Sequence, residues 1–276
     1  MGKAPETENL AVFCDFENVA IGVRDARHAQ FDIRKVLERL LLKGSIVVKK
    51  AYCDWERYKD FKAAMHEAAF ELIEIPHVRQ SGKNSADIRM VVDALDLCYT
   101  KAHVDTFVIV SGDSDFSPLV SKLRENNKIV IGVGVKSSSS DLLIANCDEF
   151  IYYDDLVRKK QASRKPARKP QRPAGRSPAP AAVKEDKDAE ERTQAALDLI
   201  METLEALAEE RGSGEKVWGS MVKQTLKRRR PGFTESYYGF RSFNRLLEEA
   251  AARGLMELEP DEKSGGYIIR SFHQED

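Results

Sequence analysis

No apolar run in the 276-residue chain approaches the roughly 20 residues of a membrane span, so no membrane-crossing helix is expected. Met1 to Asn9 lacks an apolar core of the secretory kind, which points to a cytoplasmic protein. Cysteine is scarce. Cys14, Cys53, Cys98 and Cys147 stand far apart with no CxxC pair, which argues against a zinc site or a disulfide framework and for four ordinary thiols in a reducing cytosol. The histidines, His28, His66, His77, His103 and His273, form neither a ligand set nor a nucleophile–base pair. Net charge is nearly absent, with 44 Lys and Arg against 45 Asp and Glu, which excludes a uniformly basic coat protein and a highly charged disordered chain. What remains is 42% hydrophobic and 32% charged, enough to build buried cores in one large domain or two ordinary ones.

The small total charge hides three regions. Residues 1–157 carry a net −5, residues 158–188 a net +8 and residues 189–276 a net −4. The middle region has five prolines between Pro166 and Pro180 and almost no large apolar side chain, so it cannot bury enough surface to offset its ordering entropy and reads as a disordered linker. From Arg158 to Arg176 it has nine basic residues and no acid, a tract that attracts phosphate backbones without reading sequence. A self-repelling spacer is the other reading of the same tract.

The first region alternates strands and helices. Apolar runs predict strands at Ala11 to Phe16, Ser45 to Cys53, Glu71 to Val78, Thr106 to Gly112, Lys128 to Val135 and Glu149 to Tyr153. Helical spacing predicts helices at Phe31 to Lys43, Arg57 to Phe70, Ala86 to Lys101, Ser117 to Asn126 and Asp141 to Asn146. Repeated β-α alternation implies an α/β fold with a mainly parallel sheet covered on both faces. In such sheets the site lies at the carboxyl ends of the strands. That rule selects Asp15, with Glu17 in reserve, after the first strand, Asp87 at the start of the third helix, and Asp113 and Asp115 after the fourth strand. Asp96 lies about 14 Å further along its helix. Asp93 points away from the expected Ile88, Val91, Val92, Leu95 stripe, and Asp148 belongs to the opposite edge.

Four carboxylates at one edge repel one another unless a cation neutralises them. Mg²⁺ and Mn²⁺ favour such oxygen ligands, keep several waters and bridge to phosphates, so the set suits phosphodiester hydrolysis. Turn formation is the competing reading, since Asp and Ser are favoured helix caps and Ser117-Pro118 opens a helix.

The stretches CDFENV at Asp15 to Asn18, KNSADIRMVVDAL around Asp87, VIVSGDSDFSPLV around Asp113 and VGVKSSSSDLLIANCDEFIYYDDL near residue 150 resemble NYN domains, a branch of the PIN-like nuclease fold. The resemblance covers roughly residues 10–157. It implies a PIN-like Rossmannoid nuclease dependent on Mg²⁺ or Mn²⁺ that acts on RNA, single-stranded above all. By the same likeness Asp15, Asp87, Asp113 and Asp115 are the metal-binding and catalytic acids, and Asn18 contacts metal water or phosphate. A non-catalytic RNA-binding or regulatory protein using the same acidic pocket is the alternative, and a phosphatase or DNase a third reading.

Lys136 and the Ser137 to Ser140 run follow the fifth strand at the same edge and could take a phosphate, or form a simple loop. Arg79 and Lys83 precede the third helix and read as solvated charges or nucleic-acid contacts. GVGV at Gly132 to Val135 lacks the third glycine of a dinucleotide fingerprint and follows the wrong strand for one.

In residues 189–276, helices at Thr193 to Glu210, Val217 to Lys227 and Phe240 to Arg253 precede two strands, LMELEP and GYIIR, a pattern for a small winged helix-turn-helix domain. GSMVKQTLKRRRPGFTESYYGFRSFNRLLEEAAARGLMEL also resembles the LOTUS or OST-HTH domain, which implies RNA or a protein as partner. Lys227, Arg228, Arg229, Arg230, Arg241 and Arg245 are its candidate basic face, set against the net −4 of the region.

Overall fold

A computed structural model of the protein describes residues 8–28, 30–75, 85–162, 180–211, 216–261 and 265–272. The chain divides into two compact units, Met1–Lys165 and Pro166–Asp276. In the first unit the chain runs β1 (Glu8–Asp15), α1 (Phe16–Asp25), α2 (Ile33–Leu40), β2 (Gly44–Cys53), α3 (Lys59–Glu67), β3 (Glu71–Glu74), α4 (Ser85–Thr100) and β4 (Thr106–Val110). A short 3-10 turn, Ser114–Phe116, leads into α5 (Ser117–Glu125), followed by β5 (Ile129–Gly134), α6 (Asp141–Asn146), β6 (Glu149–Tyr152) and α7 (Tyr153–Ala162). The six strands form one sheet in the order β3-β2-β1-β4-β5-β6. Every neighbouring pair is parallel.

Unbroken apolar runs form the central strands β1, β4 and β5 because both faces of the sheet are covered there. Along β1, Leu10, Val12 and Cys14 enter one core with Val108, Val110, Ile131 and Val133. Ala11 and Phe13 enter the other with Phe107, Ile109 and Val130. The two glycines of GVGV have a packing role. A Cβ on Gly132 would lie 2.3 Å from Phe150 Cδ2 and 2.9 Å from Cys147 Sγ, so the glycine admits the Phe150 ring against β5. Gly132→Ala should destabilise the first unit by about 1–3 kcal/mol through overpacking, read as a lower denaturant midpoint at unchanged m-value.

The order reverses between β1 and β4. From β1 the chain builds outward through β2 to β3, then returns to add β4 on the other side. The crevice outside the carboxyl ends of these two strands is where such folds bind ligands.

Several elements differ from the sequence reading. Helix α1 was not expected; Val19, Ile21, Gly22 and Val23 give it weak intrinsic helicity, but Asp15 caps its start and Arg24 stands in its last turn. Helix α7 begins where the last strand was extended, and it runs to Ala162. On α4 the buried residues are Met90, Ala94 and Cys98, whereas Ile88 and Val92 of the expected stripe are 62% and 55% exposed. Asp93 turns inward instead, because the wholly buried Tyr52 needs an acceptor and donates its hydroxyl to Asp93 Oδ2 at 2.9 Å. The end of the expected third strand, residues 76–78, lies outside the described residues. All four cysteines are free and buried, and burial pushes the Cys147 thiol up to about 12, far from a reactive thiolate.

The second unit comprises α8 (Pro180–Arg211), β7 (Val217–Trp218), α9 (Gly219–Arg229), α10 (Phe243–Ala252), β8 (Met256–Asp261) and β9 (Gly266–Phe272). Its three strands pair antiparallel in the order β7-β9-β8 over a core of Leu197, Ile200, Leu226, Phe243, Leu246 and Ile269. The short β7 was expected as the start of a helix. Helical backbone also enters the expected linker from both sides, to Ala162 and from Pro180, with proline at a first helical position it tolerates. The part of the basic tract from residue 163 on lies outside the described residues. Among the described residues no helix is long and apolar enough to cross a membrane.

Candidate active site

Asp15 ends β1 and caps α1, accepting a hydrogen bond from the Asn18 backbone N–H at 3.3 Å. It is 7% exposed. Ser111, just past the end of the adjacent β4, donates its hydroxyl to Asp15 Oδ2 at 3.0 Å and accepts from the Asp113 N–H at 3.2 Å. One serine thus links the first acid to the loop that carries two others. Asn18 completes the link, since its Oδ1 accepts from the Gly112 N–H at 2.9 Å. Its side-chain oxygen therefore has a positioning task, holding the Gly112 loop against α1.

Asp113 caps the 3-10 turn, accepting from the Asp115 N–H at 2.9 Å. Asp115 follows on the exposed side of that turn, and Asp87 stands in the first turn of α4. The four acids share one field. Burial, then the neighbouring Asp87, pushes the pKa of Asp15 up to about 7, against hydrogen bonds from Ser111 and Asn18 that favour its charge; Asp113 adds to the rise. Burial, followed by Asp113, Asp115 and Glu17, pushes Asp87 up to about 6. Glu17, the reserve acid, is joined to Arg57 by a 3.0 Å ion pair.

The acids surround the crevice without closing on one point. Among the described residues no three His, Cys, Asp or Glu side chains converge closely enough to hold a metal ion by themselves. Mutual repulsion and local hydrogen bonds at Asp15 and Asp113 both favour such spacing. The donor set still fits Mg²⁺ or Mn²⁺: these ions take oxygen ligands, need only one or two direct carboxylates and keep several waters.

The serine loop after β5 is built tightly onto this edge. A Cβ on Gly112 would lie 2.5 Å from the Ser138 carbonyl oxygen, and Ser140 N–H donates to Gly112 O at 2.9 Å. Ser139 Oγ donates to Val135 O, and Ser140 caps α6. Ser137 and Lys136 are exposed on the loop, with Lys136 Nζ 5.9 Å from the Tyr152 ring centroid. Lys136 N–H donates to Asp154 Oδ2 at 2.8 Å, and Asp154 Oδ1 lies 2.9 Å from His28 Nε2. That His28–Asp154 pair was not visible in the sequence. Burial raises the Asp154 pKa, but the bonds from His28 and Lys136 outweigh it and hold the carboxyl below its usual range.

Arg79 and Lys83 lie outside the described residues. In the second unit Arg229 is tied to Glu202 of α8, at 2.5 Å to Oε1 and 3.2 Å to the carbonyl oxygen. Arg245 pairs with Glu248, while Arg228, Arg230 and Arg241 are exposed.

Ser111 is the site residue that sequence reasoning missed. Its only signal was position, a small polar residue at the end of an otherwise apolar strand.

The family model of the NYN domain matches residues 9–154. Among curated proteins, the chain is 25% identical over 148 residues to a "meiosis regulator and mRNA stability factor 1" of Xenopus tropicalis, covering 54% of this chain and 9% of that protein. An uncharacterised protein of Methanocaldococcus jannaschii is 30% identical over 112 residues, which is 41% of this chain and 43% of that protein. The chain thus spans less than half the length of either relative. Among solved structures, a protein of unknown function from Vibrio parahaemolyticus aligns with a TM-score of 0.50 and 28% identity, covering 56% of this chain and 98% of that one.

Proposed function

The chain belongs to the NYN domain family, and from that premise we propose that it is a divalent-metal-dependent ribonuclease whose acids lie at the β1–β4 crevice. One observation carries the reading: the charges that act most strongly on Asp15 and Asp87 are other carboxylates. A pocket meant to hold phosphate alone would be basic. An acidic one that holds its own repulsion calls for a cation. Asp15, Asp87, Asp113 and Asp115 would hold Mg²⁺ or Mn²⁺, which supplies Lewis-acid polarisation of the phosphodiester and makes water more acidic. Ser111 and Asn18 keep Asp15 and the Gly112 loop in register. The name of the vertebrate relatives, with mRNA stability in it, supports RNA as the substrate. Incubating the full chain with labelled single-stranded RNA and DNA, with Mn²⁺ and with EDTA, tests the reading; no cleavage of RNA in Mn²⁺ overturns it.

The spacing of the acids favours one alternative, an RNA-binding or regulatory protein that uses the same pocket without cutting. RNA bound with no cleavage under any metal condition would select it.

RNA recruitment in this proposal comes from the basic tract and a LOTUS-like second unit, with Arg228 and Arg230 as its exposed cations. Deleting residues 163–176 removes Arg164, Lys165, Arg168, Lys169, Arg172 and Arg176. RNA affinity should fall, and the slope of log affinity against log salt should shrink by about 0.7 for each phosphate that the shortened chain leaves unneutralised. Unchanged affinity and slope would make the tract a spacer.

A further inference from the structure

Beside the acids lies an open cleft of about 620 Å³ lined by Ser114, Asp115, Ser117, Pro118, Ser121 and Leu142. It lies next to the acids because Asp115 forms part of both. Among the described residues its lining offers three serine hydroxyls, one carboxylate and two apolar surfaces, and no cationic side chain. Away from the proposed cation, a phosphate in the cleft would meet Asp115 with no compensating side chain among the described lining residues. A neutral, hydroxyl-bearing ring with C–H faces fits better, since Asp115 accepts hydrogen bonds, the serines donate or accept, and Pro118 and the 58% exposed Leu142 offer apolar contact.

A second observation points the same way. Ser117 is 6% exposed, yet its Oγ is buried with no hydrogen-bond partner among the described residues. A buried hydroxyl left unsatisfied costs stability, and an exception of this kind calls for an explanation. Ser117 is also one of the residues that line the cleft, so the unsatisfied hydroxyl and the open space belong to the same residue. The capping of α5 does not explain it, because the cap residue is Phe116 and no side chain caps that helix.

We infer that this cleft is a ribose subsite for the RNA strand and that Ser117 is a specificity-determining hydroxyl for it. A ribose 2′-hydroxyl both donates and accepts, matching a carboxylate and a serine at once. Deoxyribose lacks that group and leaves them unpaired, which is how a site built to bind a hydroxyl rejects the analogue without it. The inference rests on the ribonuclease reading and adds to it the reason RNA is preferred over DNA.

The test uses the full chain, a labelled single-stranded RNA and the DNA of the same sequence, for the unaltered protein and for Ser117→Ala and Ser114→Ala. Cleavage rates are measured in Mn²⁺, binding by fluorescence anisotropy in EDTA, and folding by thermal melt. Ser117→Ala should reduce the RNA-over-DNA ratio about tenfold in cleavage, with a change of the same sign in binding. Its melting temperature should stay equal or rise, since an unsatisfied buried hydroxyl has been removed. A ratio unchanged by Ser117→Ala overturns the inference. If Ser117→Ala melts lower, Ser114→Ala on another part of the lining carries the comparison, with a reduced ratio expected and an unchanged one overturning. Absence of RNA cleavage by the unaltered protein defeats the ribonuclease reading separately. The anisotropy then decides alone, and equal binding of RNA and DNA by the unaltered protein overturns the subsite.

Discussion

Asp15→Asn and Asp113→Asn should each lower the Mn²⁺-supported cleavage of RNA at least about a thousandfold while leaving the protein folded. Each change withdraws a full negative charge from the crevice. A bound ion that stabilises the reaction by several kcal/mol loses a ligand, and about 4 kcal/mol of barrier is a thousandfold in rate. The fold should survive because the local hydrogen bonds survive. Asp15 accepts from the Asn18 N–H at Oδ1 and from the Ser111 hydroxyl at Oδ2; an asparagine keeps the first bond through its carbonyl oxygen and reverses the second, its amide N–H donating to the Ser111 oxygen. Asp113 accepts from the Asp115 N–H, and asparagine is as good a cap as aspartate. Single-turnover cleavage with circular dichroism as the folding control decides it. Cleavage at the unaltered rate in both variants, with contaminating nuclease excluded, would remove these acids from the reaction.

The strand runs were legible because both faces of the sheet are buried. Nothing polar interrupts Ala11 to Cys14 or Phe107 to Val110, and all are wholly buried. The acids were legible by a rule of topology, since the carboxyl ends of parallel strands share one edge whatever the strand order. The strand order itself was not legible, and with it went the parts of the site that depend on β1 lying beside β4. Ser111 meets Asp15 across 96 residues of sequence, and Gly112 meets Asn18 across 94. No local pattern records such pairs. The face of α4 was misread because Ile88 and Val92 outweigh Asp93 in hydrophobicity, whereas the structure is decided by the buried Tyr52 hydroxyl and its need for an acceptor. Helix α1 was hidden by β-branched residues that burial and a good cap override.

In metal-free buffer the protein should lose stability as pH rises from about 4 to about 7. An acid whose pKa is higher in the folded chain than in the unfolded one keeps its proton longer when folded. Across that window the native state binds more protons, so the free energy of unfolding falls with rising pH. Asp15 moves from an ordinary 3.8 to about 7, and Asp87 from 3.8 to about 6. For the buried Asp15 alone the full penalty is about 4 kcal/mol above pH 7, at 1.36 kcal/mol per unit. The loss corresponds to a fall in melting temperature on the order of 10 °C between pH 5 and pH 8 for a protein of this size. Asp93 works in the opposite sense: burial raises its pKa, but the bonds from Tyr52 and Arg89 win and hold it below the usual range. The stability it contributes is present above the ordinary carboxylate pKa and is lost only below about pH 4, so it does not mask the effect. Calorimetry in EDTA at pH 5, 6, 7 and 8 gives the curve. Asp15→Asn should flatten most of it and melt higher than the unaltered protein at pH 8, because the strained charge is gone. Mn²⁺ should raise the melting temperature of the unaltered protein most at pH 8, where the acids are ionised, and little at pH 5. A melting temperature that is level or rising from pH 5 to pH 8 in EDTA would mean that the four carboxylates do not share one field, and the cation-seeking character of the crevice would lose its physical basis.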